Sequence, residues 1–290
     1  MKTTIVIPNY NGISYLRECV KSLREDLKNH PAAVIIVDNG SGDGSVEWIK
    51  QECPDITLIP LKKNTGFPHA VNVGIRHAKT PFVLLLNNDT VVHPGFTKAL
   101  EEAISGHKDA FSVSAKMLSM KEEGIMDNAG DLYCALGWAF ARGKDKPAGD
   151  YNKPCEIFSA CGGAAIYRKS VFEKIALAAK KSKDDKGEVK TVDGVWAFKF
   201  KSGEDGELNI CAVEISREKS MLSNLIITFI YVGVLALFII FLISLYFANR
   251  AIKPVSEAWE KQNRFIADAS HELKTPLTVI NTNADVLLSH

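Results

Sequence analysis

The chain has 290 residues and a formal net charge of +1, enough for one large or two ordinary domains. The near balance of charge argues against a nucleic-acid binder working through a global basic field. Apolar residues are unevenly spread. The six cysteines form no CxxC pair and no zinc-spaced Cys/His cluster, so reduced thiols are expected.

The first stretch alternates strand and helix signals. Thr4–Ile7 is a β-branched strand, and Tyr15–Leu27 carries Leu16, Val20, Leu23 and Leu27 at helical spacing. Ala33–Val37 is an apolar strand ending in Asp38, Ser45–Gln51 a helix and Ile56–Pro60 a strand. Phe67–Ala78 reads as a helix, and Phe82–Leu86 is a wholly apolar strand running into Asn87-Asn88-Asp89. Buried strands alternating with helices predict βαβ units and a parallel sheet. In such sheets ligands sit at the carboxyl ends of the strands. Asn9 and Asn11, Asp38, and Asp89 fall at those ends. The N-terminus lacks the apolar stretch of a secretory signal.

After Ile175 the character changes. Ala176–Lys190 is rich in Ala, Lys and Asp without a strong apolar stripe, and is expected to be a linker or frayed helix. Val189–Lys201 alternates, Gly203-Glu204-Asp205-Gly206 is a turn, and Leu208–Ile215 is a second strand. The pair predicts a β-hairpin, and since a lone hairpin is marginal in water it reads as the remnant of a larger sheet. Leu225–Phe247 is apolar and uncharged, long enough to cross a bilayer, which takes about 20 residues. Tyr231, Tyr246 and Trp259 read as membrane-end or seam residues. From Ile252 to His290 the pattern is one long helix, in which Ile266, Ser270, Leu273, Leu277, Ile280, Ala284 and Leu287 recur at alternating spacings of four and three, a coiled-coil seam. His271 lies one step off that seam. The other six histidines show no ligand spacing.

Two resemblances follow from motifs. Val6-Ile7-Pro8-Asn9-Tyr10-Asn11-Gly12, Val37-Asp38-Asn39-Gly40-Ser41, Asn64-Thr65-Gly66-Phe67, Leu86-Asn87-Asn88-Asp89-Thr90 and Gly162-Gly163-Ala164-Ala165-Ile166-Tyr167-Arg168 resemble a family 2 glycosyltransferase of the GT-A fold, rhamnosyltransferase-like, over residues 1–175. The resemblance implies a nucleotide-sugar site formed by Pro8, Asn9, Asn11, Asp38, Asn64, Gly66, Asn88 and Asp89. Asp38 suits ribose or base hydrogen bonding. Asp89 would ligate a divalent cation, Mg or Mn, on the diphosphate of a UDP- or dTDP-sugar. The family's usual metal motif has two acids, and Asn87-Asn88-Asp89 supplies one. By the same resemblance a general base should follow the Gly-Gly-Ala-Ala stretch. The pattern stops at Ala176, and Asp184-Asp185 sit in a lysine-rich setting that does not match.

Phe265-Ile266-Ala267-Asp268-Ala269-Ser270-His271-Glu272-Leu273-Lys274-Thr275-Pro276-Leu277 resembles the phospho-acceptor box of a membrane-bound sensor histidine kinase. It implies that His271 accepts phosphate, Glu272 helps take the imidazole proton and Thr275 orients a water for dephosphorylation, with Pro276 kinking the helix. Too few residues separate Phe247 from His271 for a complete relay domain, and with no ATP-binding motifs after His271, phosphate is expected from an intact kinase in trans. A response regulator and a second copy of the chain, paired through the C-terminal helix, are the expected partners.

The expected organisation is therefore an α/β GT-A parallel-sheet domain (1–175), a junction (176–188), a hairpin remnant (189–219), one transmembrane helix (222–247) and a dimerisation helix (252–290). Both chemistries belong to the cytoplasm, yet one span puts its two ends on opposite sides. Lys201, Arg217 and Lys219 precede it and Arg250, Lys253, Lys261 and Arg264 follow, so the positive-inside rule barely chooses. The expectation is a single-pass protein of a bacterial cell membrane, joined near Ile175–Lys190 as a natural fusion or a misassembled reading frame. The alternatives are a working membrane-tethered glycosyltransferase and a signalling protein phosphorylated in trans on His271.

Overall fold

In a computed structural model the described residues are 1–134, 138–192, 194–202 and 208–288; the side chains of 202, 208, 217, 271–273 and 275–288 lie outside them. The chain divides into two units, Met1–Ser216 and Arg217–His290.

The first unit is built on β1 (Thr3–Asn9), β2 (Ala33–Asp38), β3 (Thr57–Pro60) and β4 (Phe82–Leu86), joined by α1 (Ile13–Leu27), α2 (Ser45–Glu52) and α3 (Phe67–His77). The apolar runs read from the sequence form these elements within a few residues. β1 pairs parallel with β2 on one side and with β4 on the other, and β2 pairs parallel with β3. β10 (Ala164–Arg168) then adds antiparallel to β4, and β5 (Ser112–Ser114) antiparallel to β10, giving the order β3-β2-β1-β4-β10-β5.

Both faces of the sheet are covered, which is why its strands read as unbroken apolar runs rather than alternating ones. Ile5, Ile7, Ile36, Leu84 and Leu86 pack with Leu16, Cys19 and Leu23 of α1 and Ile104 of α4 (Phe96–Gly106). On the other face Val6, Val37, Val83 and Leu85 pack with Ala70, Val71 and Val73 of α3. Gly74 lets α3 approach β1 closely, since a Cβ there would run into Val6 Cγ1. Helix α4 is held at both ends by other elements. Buried Asp26 accepts from Thr97 N at 3.1 Å near its N-terminus, where a negative charge suits the helix dipole. The Arg168 guanidinium donates to the carbonyls of Ile104, His107 and Ala110 at its C-terminal side.

Between β5 and β10 lies an insertion of short ribbons that the sequence did not announce. β6 (Met117–Leu118) pairs with β7 (Met126–Asn128), and β8 (Asp131–Tyr133) with β9 (Ala139–Ala141), followed by a 3-10 turn at Ala148–Tyr151.

The expected linker differs from what is found. Helix α5 (Lys169–Lys181) continues past Ile175, with Val171, Ile175 and Ala179 buried. The expected hairpin is present as β12 (Val195–Ser202) and β13 (Leu208–Glu214), and a third strand, β11 (Lys186–Lys190), pairs antiparallel with β12. Thr191 N–H to the Gly194 carbonyl, 2.8 Å, turns β11 into β12 and breaks the alternation that had read as one strand. Trp196 and Phe198 of β12 are buried against Val171, Ile175 and Ala179. Phe111 joins this cluster to the main core. Its ring meets Trp196 at 4.9 Å, Phe172 at 5.1 Å and Tyr167 at 5.4 Å, all edge to face.

The second unit consists of α6 (Ser216–Leu288), which begins in the last residue of the first. Its 73 residues make a rod about 110 Å long. The helix runs unbroken through Pro254 and Pro276. Within Glu218–Ser270 an 18-residue window reaches a mean hydropathy of 3.0 and none of it is buried, so the helix is long and apolar enough to cross a bilayer.

Candidate functional site

The strand order sets where a ligand would lie. β1 sits between β2 and β4, and the chain reverses its direction of winding there, the switch point outside whose strand ends open α/β sheets bind their ligands. The side chains that end these strands form one network.

Asn9, almost fully buried, is its hub. Its Nδ2 donates to Asp38 Oδ2 at 2.9 Å and to Ser41 Oγ at 3.3 Å, and its Oδ1 accepts from Asn88 Nδ2 at 2.7 Å. β1, β2 and β4 are thereby tied together by side chains where the main-chain ladder ends. The second carboxylate oxygen of Asp38 accepts from Ser41 N at 2.9 Å. Asp38 has no exposed surface, so in this conformation it holds Asn9 and the following turn instead of facing outward. Asn11 adopts φ 49, a left-handed conformation that asparagine tolerates better than most residues. Its N–H donates to Ser41 Oγ at 2.9 Å and its Oδ1 accepts from Gly42 N at 2.8 Å.

Asn39 and Ser41, quoted in the sequence only as part of a motif and not as site residues, and Asp43, which was not picked out, organise the rest. Asn39 Nδ2 donates to Asn64 Oδ1 and the Gly66 carbonyl, and its Oδ1 accepts from Thr65 N at 2.9 Å and from Thr65 Oγ1. Gly40, at φ +80, lies against the Lys63 backbone, where a Cβ would stand 2.6 Å from the carbonyl carbon. These contacts lock the loop of Asn64 and Gly66 onto the end of β2. Asp43 accepts from Ile13 N at 2.9 Å with one oxygen and from Ser45 N and Oγ with the other, bracing the starts of α1 and α2. Burial pushes the Asp43 carboxyl up, but the bonds from Ser45, Ile13 and its own backbone together outweigh it and hold it below the usual carboxylate range. The clue was positional: an Asp whose side chain can accept from the backbone two residues on forms an Asx-turn, here at the start of α2.

Asn87 N donates to the Gly163 carbonyl at 2.8 Å, linking β4 to the glycine pair before β10. Beneath it the Cys19 thiol is pushed up to about 11, mainly by burial, with the Thr90 hydrogen bond opposing, which leaves it an inert core thiol at neutral pH. The buried Asn87 Oδ1 has no hydrogen-bond partner among the described residues. Asp89 is exposed at the end of β4, while Pro8 is half-buried on β1. Asn9, Asn11 and Asp38 are therefore brought together through Ser41, Asn88 joins them through Asn9, and Asn64 and Gly66 through Asn39. Asp89 stands at the edge, outside this hydrogen-bonded set.

Among the described residues no three His, Cys, Asp or Glu side chains converge on a metal position. The local donors are one exposed carboxylate, Asp89, and the amide oxygens of Asn87 and Asn88. Hard oxygens of this kind fit Mg or Mn held jointly with phosphate oxygens, not an ion enclosed by protein alone. On α6, His271, Glu272 and Thr275 have side chains outside the described residues. Ser270 Oγ, just before them, donates back to the Ile266 carbonyl at 2.6 Å.

The glycosyl transferase family 2 profile matches residues 4–176, more than half of the chain, and the chain belongs to that family. The His Kinase A (phospho-acceptor) domain matches residues 261–290, so a family 2 domain and a phospho-acceptor segment are fused in one polypeptide. The teichoic acid poly(glycerol phosphate) polymerase of Staphylococcus epidermidis is 33% identical over 92 residues, 30% of this chain and 13% of that protein. The uncharacterized glycosyltransferase YwdF of Bacillus subtilis is 33% identical over 118 residues, 39% of this chain and 44% of that protein. The chain thus spans less than half the length of either relative. The crystal structure of S. aureus TarS residues 1–349 in complex with UDP is 20% identical, with 60% of this chain and 48% of that one covered and a TM-score of 0.43.

Proposed function

We propose that the first unit binds a nucleotide sugar, UDP- or dTDP-linked, in the crevice at the carboxyl ends of β1 and β4. The observation that carries this is the Asn9 hub, which fixes Asp38, Ser41 and Asn88 in one rigid set at the topological switch point. Asp38, Asn9, Asn11, Asn64 and Gly66 shape the nucleoside side, largely by holding backbone amides and loops in place, and Pro8 sets the exit of β1. Asn88 and Asp89 flank the diphosphate side. Asp89 would hold a Mg or Mn ion there, and that ion supplies charge neutralisation of the departing diphosphate. Family membership and the match over residues 4–176 support the reading.

Binding exceeds transfer in this account. Past Ile175, where the resemblance asks for a general base, α5 ends in lysines, and Asp184 and Asp185 are exposed, the latter 3.6 Å from Lys199 Nζ. Titrating the full chain in detergent micelles with UDP-glucose and dTDP-rhamnose, with and without Mn2+, tests this. Metal-dependent binding that falls at least tenfold in Asp89→Ala is expected, with no sugar release above the spontaneous rate. Metal-independent binding, or turnover abolished by Asp89→Ala, would contradict it.

A second role rests on the phospho-acceptor match at 261–290. His271 takes phosphate in trans from an intact kinase and passes it to a response regulator, with Glu272 and Thr275 assisting, in a homodimer formed along α6. Residues 222–247 span a bacterial cell membrane; the family 2 domain (1–175) runs on through the rest of α5 into the three-stranded sheet, which the span and then the acceptor helix (252–290) follow. Phosphate on His271, lost in His271→Gln, is the expected result when the chain is mixed with an intact partner kinase and ATP.

A further inference from the structure

We propose that the β8–β9 ribbon and Phe158 form a stacking platform for a neutral saccharide, the acceptor side of the crevice. This rests on the nucleotide-sugar reading above and extends it to the second substrate. The rings of Tyr133 and Phe158 lie nearly parallel, 20° apart with centroids at 4.9 Å, and each is about half exposed, at 53% and 51%. The two rings together make one contiguous apolar surface, the kind of patch that marks a binding site when polar groups rim it.

Two observations choose the occupant. The first is the chain path. Phe158 N and Ser159 N donate to the Asp131 carbonyl, and Asp131 N donates to the Ser159 carbonyl, which pins Phe158 beside β8. Five residues later the Gly163 carbonyl accepts from Asn87 N at the end of β4. Fully extended, that stretch reaches about 18 Å, so the platform lies within the length of a short oligosaccharide from the Asn87–Asp89 turn. The second is charge. Asp131 shares a face of β8 with Tyr133, two residues along. Its carboxylate accepts from Asn128 Nδ2 and Ser159 Oγ, each at 3.2 Å, which leaves acceptor lone pairs beside the rings. An aromatic face for the C–H side of a pyranose, next to a carboxylate for its hydroxyls, is the combination a sugar ring needs.

Saturation-transfer NMR on the full chain in detergent, with chitotriose, cellotriose and a rhamnose disaccharide as probes, tests this. Transfer to pyranose ring protons of at least one probe is expected, falling at least fivefold in Tyr133→Ala and Phe158→Ala, and kept in Tyr133→Phe. The nucleotide-sugar titration is run on the same samples. Saccharide transfer without nucleotide binding would sink the donor-site reading and leave the platform standing. Nucleotide binding without transfer to any probe would overturn the platform alone, as would equal transfer in the alanine variants. Loss of binding to phosphatidylglycerol vesicles in Tyr133→Ala, with saccharide transfer unchanged, would also overturn it. Far-UV circular dichroism separates a lost surface from a lost fold, and Tyr133→Phe guards the same distinction.

Discussion

The two units of this chain are stabilised by opposite means. In the first, both faces of a sheet are buried and the strand ends are bound by side-chain hydrogen bonds, so the geometry of the candidate site is internal to the fold. In the second, the apolar window of α6 has no buried residue, so nothing within the chain covers that helix, which is long and apolar enough to cross a bilayer. The difference teaches where each chemistry is secured. The candidate site residues are held by contacts within the first unit, whereas the apolar stretch of α6 packs against nothing in its own chain.

Trp196→Ala should have the largest effect, because it removes the ring that joins the three-stranded sheet to α5 and Phe111. A loss of about 3–5 kcal/mol in denaturant unfolding of the first unit is expected for an aromatic core truncation. A change below about 1 kcal/mol would mean that β11–β13 is an appendage and that the first unit ends near Ile175. Leu235→Arg probes the other side of the comparison. Arginine near the centre of the span should cost about 2.5–3.5 kcal/mol of insertion, read as a shift from the membrane to the soluble fraction in a translocation assay, with the first unit's unfolding unaltered. If the fractionation is unchanged, α6 does not span.

Asp38→Ala leaves the Asn9 amide and Ser41 N without their acceptor in a buried setting. A cost of about 1–3 kcal/mol follows, together with weaker nucleotide-sugar binding. A loss of binding with no loss of stability would instead mark Asp38 as a direct ligand contact. The smallest effect concerns Asp43. Its folded pKa lies below the unfolded value, so the stability it contributes is present above the unfolded pKa, about 3.9, and is lost as pH falls through the folded one. Acid unfolding of Asp43→Asn should therefore be shallower than that of the parent chain below about pH 4, and identical slopes would remove Asp43 from the account.

Much of the first unit was legible because its strands are buried on both faces and end in polar residues. Asn9, Asn11, Asp38 and Asp89 could be placed at strand ends from the pattern alone, and the first three meet through Asn9 and Ser41, whereas Asp89 stands apart and Asn88, known only from the resemblance, is the residue that joins the hub from β4. What the pattern hid has physical causes. Asp43 and Ser41 lie in a Gly/Ser/Asp stretch that looks like an ordinary turn, and their importance appears only when the turn folds back on α1. The end of α5 carries small Ala179 where a larger residue would have drawn an apolar stripe. β11, Lys186–Lys190, is half-exposed and rich in lysine, so only its pairing with β12 makes it a strand. The ribbons between β5 and β10 are two or three residues long, too short for any period to register.

Amide hydrogen exchange on the full chain in micelles, with and without UDP and Mn2+, addresses the central claim most directly. New protection is predicted at residues 9–13, 38–45, 63–67 and 86–90 and nowhere on α6. Protection that is absent from those four segments, or that appears on α6 instead, would contradict it.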